Sequence, residues 1–117
     1  MITQYEISPM LRAEIPAMAY KVYPVRTPME AYASINDFSD FTIKAIEHHD
    51  LVEIKKCFSI AKRLYHQGDK IVRMLMENIF VHAFSSYLDR DNNGAKWVTP
   101  LVPSVLNPLL KSTRVNS

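Results

Sequence analysis

Only two glycines, Gly68 and Gly94, occur in 117 residues, against an average usage of about 7%. A fold rich in tight β-turns needs glycine at the left-handed positions of those turns, so this count argues for helices joined by few sharp links. Gly68 falls within "LYHQGDKIVRML", Leu64 to Leu75, between two amphipathic stretches. It follows the last periodic apolar residue of one helix, and Asp69 stands where its carboxylate would accept from the free N–H groups of the next. A left-handed glycine closing the first of these helices is therefore expected at Gly68. The link reads as a hinge and not as a ligand-holding loop. A P-loop requires G-x-x-x-x-G-K-[ST] after a strand, and neither is present. So short a connection predicts that the two helices form an antiparallel hairpin.

The other helix signals are equally local. Thr3 and Glu6 have capping-box spacing, flanked by Ile2 and Ile7 as in a hydrophobic staple. Pro9 cannot donate a hydrogen bond back to Tyr5, so this first helix is short, kinked, or begins with Ser8 as its cap. Three prolines between Pro16 and Pro28 interrupt any period, which predicts an irregular connection. Thr27-Pro28-Met29-Glu30 is a second capping box, opening a helix of about six turns. Its apolar stripe is Ala31, Ile35, Phe38, Thr42, Ala45, Ile46 and His49. Asp50 and Glu53 repeat the cap signature, so the chain turns near "HHD" into a third helix with apolar face Ile54, Cys57, Phe58, Ala61, Leu64 and Tyr65.

A fourth helix is expected from about Lys70 to Leu88. Ile71, Val72, Leu75, Met76, Ile79, Phe80, Ala83, Phe84, Tyr87 and Leu88 cover more than half of its circumference, and Glu77 is the only formal charge between Arg73 and Asp89. It is read as the central helix, or as one carrying part of a subunit interface. "LDRDNNGAKW" is a polar turn with Asn93-Gly94 as its sharpest point. Beyond it Pro100, Pro103 and Pro108 forbid one long helix, so the C-terminal segment is expected to cross the core as extended chain with one or two helical turns. Together these elements predict a single all-α domain, residues 1–117, built as a small bundle of about four main helices.

Length and composition bound the function classes. A chain of this length buries roughly two thirds of its unfolded surface without a metal or disulfide staple. The single cysteine, Cys57, has no partner for an internal disulfide, and no basic-then-apolar leader opens the sequence, so a reduced cytoplasmic protein is expected. No uncharged apolar run approaches the roughly 20 residues that span a bilayer, and no membrane association is expected. A net charge of +2 is too small to imply nucleic acid by itself.

No catalytic constellation emerges, and the chain is read as a non-enzyme without cofactor or metal. Glu47, His48, His49 and Asp50 are consecutive, and consecutive helical positions diverge instead of converging on an ion. No His pair at i,i+4 and no Glu-x-x-His on paired helices occurs. His49 reads as the end of the apolar stripe, where an imidazole complements a helix C-terminus. Cys57 lies on an apolar face, a place of burial and not of nucleophilic attack.

Charge placement is more informative. The helix after Pro28 carries Asp37, Asp40 and Glu47 on its polar side, and opposite potentials speed encounter with a basic partner. Asn78 and His82, at i,i+4, form a polar edge on the fourth helix. These five residues are the candidate docking positions for another protein. Lys55, Lys56, Lys62 and Arg63 fall on one side of the third helix and are the candidate contacts for the alternative, a nucleic-acid-associated domain. A small-molecule- or metal-binding bundle ranks third. Self-association through the wide apolar face of the fourth helix is a further expectation.

The stretch "FSDFTIKAIEHHDLVEIKKCFSIAKRLYHQGDKIVRMLMENIFVHAFS", Phe38 to Ser85, resembles a group of small uncharacterised bacterial all-helical proteins in which a Gly-Asp hinge joins two amphipathic helices. It also looks like the C-terminal hairpin of several immunity proteins that neutralise polymorphic toxins. The resemblance implies an all-α fold and protein binding without catalysis, in an immunity-like or adaptor role. It brings no catalytic residue with it.

Overall fold

The computed structural model describes residues 1–18, 28–90, 96–106 and 108–109. Its helices are α1 (Ile7–Glu14), α2 (Pro28–Glu47), α3 (Leu51–Gln67), α4 (Lys70–Leu75) and α5 (His82–Arg90), with short 3-10 helices at Gln4–Glu6, Pro16–Met18 and Lys96–Leu101. A π-helical turn, Met76–Val81, joins α4 to α5. No strand occurs among the described residues, and the expected all-α bundle is what the chain forms.

Side-chain caps mark three of the helical starts. The carboxylate of Glu6 accepts from the Thr3 N–H at 3.2 Å and from its hydroxyl at 3.1 Å, so the capping box starts the 3-10 turn that runs into α1. Pro9 is tolerated because it stands in the first turn of α1, where the N–H it lacks would be unpaired in any case. Asp50 accepts from Glu53 N at 3.2 Å and Asp69 from Val72 N at 3.0 Å, starting α3 and α4. The expected cap Thr27 and the Asn93-Gly94 turn lie outside the described residues.

Helix α2 is the axis of the packing: α1, α3, the π-turn and α5 all rest on it. This requires burial on more than one stripe, and Ser34 and Ser39 are buried along with the expected Ala31, Ile35, Phe38, Thr42, Ala45 and Ile46. Two of its buried hydroxyls are satisfied within the helix: Ser39 Oγ donates to the Ile35 carbonyl and Thr42 Oγ1 to that of Phe38, both at 2.8 Å. Against α2 sits an aromatic column. Phe38 stacks on Phe80 with ring centroids 5.2 Å apart, Phe80 on Phe84 at 6.4 Å, and Phe84 meets Phe58 edge-on at 5.7 Å. The C-terminal segment closes this core with Val98, Val102 and Leu106. Arg63 on α3 pairs with Glu14 on α1. Both are partly exposed, so the pair bridges the two helices but adds little stability.

Three sequence expectations are corrected. The fourth helix is not regular: its middle is the π-turn, whose wider winding allows three consecutive residues, Ile79, Phe80 and Val81, to be buried together. Its early exposed residues include Ile71 and Met74. Gly68 is not left-handed. Its φ of −70° and ψ of 152° are extended, because the N-terminal segment adds a bridge there: Ile2 N–H donates to Gln67 O and Asp69 N–H to Ile2 O, each at 2.8 Å. Glycine is needed for space. A Cβ would stand 2.5 Å from Val72 Cγ1 and still closer to the Leu64 carbonyl oxygen. Finally, α2 stops at Glu47, and His49 is exposed instead of continuing the apolar stripe.

Candidate functional site

The turn that ends α2 is unusual in its residue, not in its geometry. Asp50 N–H donates to Ala45 O and His49 N–H to Ile46 O, both at 3.0 Å. This is the paired pattern that ends helices on a left-handed residue, and that residue is normally glycine. Here it is His49, with φ 55°, the only non-glycine residue with positive φ among those described. For a side chain bearing a Cβ, this conformation costs about 1–2 kcal/mol. The imidazole thus placed stacks on Trp97 of the 3-10 helix Lys96–Leu101, centroids 4.8 Å apart and planes 12° from parallel. Trp97 carries its own penalty, because its indole N–H is buried with no hydrogen-bond partner among the described residues.

These two rings form one wall of a cleft of about 550 Å³ lined by Ile43, Ile46, Glu47, His49, Tyr87, Arg90 and Trp97. The Ile46 side chain belongs to the core and supplies an apolar floor, while Glu47, His49 and Arg90 are exposed at the rim. Neither Glu47 nor Arg90 forms an ion pair with the described residues. Helix α2 positions Ile43, Ile46 and Glu47, and α5 positions Tyr87 and Arg90. A second cavity of about 470 Å³ lies at the hinge, beside Tyr65, Gly68, Asp69, Arg73 and Glu77. Several of its polar groups are engaged: the Arg73 guanidinium lies 5.1 Å from the centre of the Tyr65 ring, and the Tyr65 hydroxyl donates to Glu77 Oε1 at 3.2 Å.

Of the five docking candidates read from sequence, only Glu47 lines the cleft. Asp40 is exposed and Asp37 half-buried elsewhere on α2. Asn78 and His82 are exposed at the π-turn and the start of α5, away from the cleft. The π-turn also breaks the simple i,i+4 register that paired them. His49, Tyr87, Arg90 and Trp97 lie outside the sequence candidates, His49 and Tyr87 because both read as apolar-stripe positions. A signal did exist: "HHD" joins two helices without glycine, so a left-handed end to the first must fall on a residue bearing a Cβ.

The basic strip on α3 is partly spent within the fold. Lys55 and Lys62 are exposed, but Lys56 lies 3.8 Å from Glu53 and Arg63 pairs with Glu14. Among the described residues no group of three His, Cys, Asp or Glu side chains could hold a metal ion, and no helix is long and apolar enough to cross a membrane.

Cys57 is fully buried, and its thiol is pushed up to about 11 by burial, offset in part by the hydrogen bond with Thr42. The thiolate is thus scarce at neutral pH and the side chain is not a nucleophile. A thiol whose folded pKa is raised contributes stability that is complete below its unfolded value, near 9, and lost as pH rises through 11. Wild-type protein is expected to lose stability between pH 9 and 11 relative to Cys57→Ala, as read from chemical denaturation across that range. Parallel curves for the two proteins would contradict this placement of the thiol.

No curated protein and no solved structure matches the chain. A family model does match, over residues 6–116, a span that takes in every helix from α1 to α5 and the Trp97 wall of the cleft. The chain therefore belongs to the family described as the domain of unknown function DUF7674.

Proposed function

We propose that this protein is a non-catalytic binding module for another protein, acting in the cytoplasm in an adaptor or immunity-like role, and that its docking surface is centred on the His49–Trp97 cleft. One observation carries the reading: both rings occupy positions that work against stability. His49 holds a conformation in which glycine would be less strained, and Trp97 buries an indole N–H that has no partner among the described residues. Strain retained by an exposed side chain beside a cleft points to a role for that side chain. An open apolar floor with aromatic walls and a charged rim suits a protruding side chain of a partner, the arrangement found at the centre of protein interfaces.

The test is capture by the tagged protein from its native lysate, followed by a high-salt wash and compared with two variants. A stoichiometric protein is expected to survive the wash on wild type and to be lost on Trp97→Ala. His49→Gly separates function from folding. Relief of backbone strain and loss of the ring stack, each about 1 kcal/mol, leave its stability close to wild type, while binding falls at least tenfold. Retention of the partner by both variants would remove the cleft from the interface. Recovery of nucleic acid alone, lost on the salt wash, would favour phosphate contact by Lys55 and Lys62 instead.

A further inference from the structure

The cleft is polarised, and its polarity limits what can enter it. Glu47 and Arg90 come from different helices, both are exposed, and neither is neutralised by a neighbouring described residue. The half-buried Ile43 and the buried Ile46 line the same cleft.

Resting on the binding reading above, we infer that the cleft takes one protruding aromatic or large apolar side chain of a polypeptide partner, flanked on one side by a basic residue that meets Glu47 and on the other by an acidic residue that meets Arg90. The apolar side chain gains by leaving water against the half-buried Ile43 and Trp97. The flanking charges fix the direction in which the partner chain crosses the cleft. The reverse direction would place like charges together, and such juxtaposition discriminates against wrong partners.

The test uses three acetylated and amidated nonapeptides. The first has tryptophan at its centre, lysine two residues before it and glutamate two after; the second exchanges the lysine and glutamate; the third has serine at both places. Binding is read from chemical-shift changes of isotope-labelled protein. One charged order is expected to bind about fivefold or more tightly than the other, with shifts confined to the cleft. The double variant Glu47→Arg/Arg90→Glu, whose two sites are exposed, is expected to keep the fold and to invert the preference. Equal binding of the two orders, or a preference that survives the double exchange, overturns the inference. If all three peptides bind alike and Trp97→Ala abolishes binding, the cleft remains a polypeptide site while the charge rule falls. If no peptide binds, the inference also falls, and the capture experiment decides separately whether the protein is a binding module.

Discussion

Phe38→Ala is expected to destabilise the protein by about 3–5 kcal/mol, the largest effect of any single truncation considered. Phe38 has no exposed surface and its ring faces Phe80 at 5.2 Å, so its loss removes both the buried area and one member of the aromatic column. The helices on either side are held by their own hydrogen bonds and cannot close the gap fully, which leaves a cavity whose walls lose their contacts. Domains of this size have about 5–15 kcal/mol in all, so the variant should be near the edge of folding at physiological temperature. Chemical denaturation would show a lower midpoint with an unchanged slope. A loss below about 1 kcal/mol would be incompatible with a core centred on this ring.

Gly68→Ala is expected to cost about 2–3 kcal/mol, and the order of substitutions identifies the reason. If Gly68 were left-handed, asparagine would be the best tolerated replacement. Its backbone is extended, however, and the obstacle is Val72 on one side and the Leu64 carbonyl on the other. Asparagine, with more atoms to place, should therefore be worse than alanine. Adding Val72→Ala to Gly68→Ala should recover part of the loss at most, because the Leu64 carbonyl belongs to the last turn of α3 and does not move with the side chain. Thermal unfolding of the variants settles the order; asparagine more stable than alanine would return Gly68 to the role first expected of it.

That glycine shows how far local reasoning carries. The hinge at Gly68-Asp69 was legible because a helix must end where its periodic apolar residues end, and because a carboxylate at Asp69 satisfies donors three residues away. The reason for the glycine was not legible, because it depends on Ile2, whose backbone bridges to the hinge from the far end of the chain. The π-turn has the same origin. Its sequence reads as continuous α-helix, and only the need to present Ile79, Phe80 and Val81 together to α2 and its neighbours favours the wider winding.

The candidate site divides in the same way. Glu47 was found from the polar side of α2, whereas Asp37, Asp40, Asn78 and His82 share its character but not its place. Arg90 and Trp97 join Glu47 at one cleft only once α5 packs on α2 and Trp97 stacks on His49. What the sequence determined by itself are properties set within a few residues: helical class, the caps at Thr3, Asp50 and Asp69, the hinge, and most of the apolar stripes. What the tertiary structure decided are the axial role of α2, the crowding that requires glycine at position 68, and the meeting of His49, Trp97, Glu47 and Arg90. Hydrogen-bonded turns are satisfied by neighbours in sequence, but a cleft is made of surfaces that touch only after the whole chain has closed.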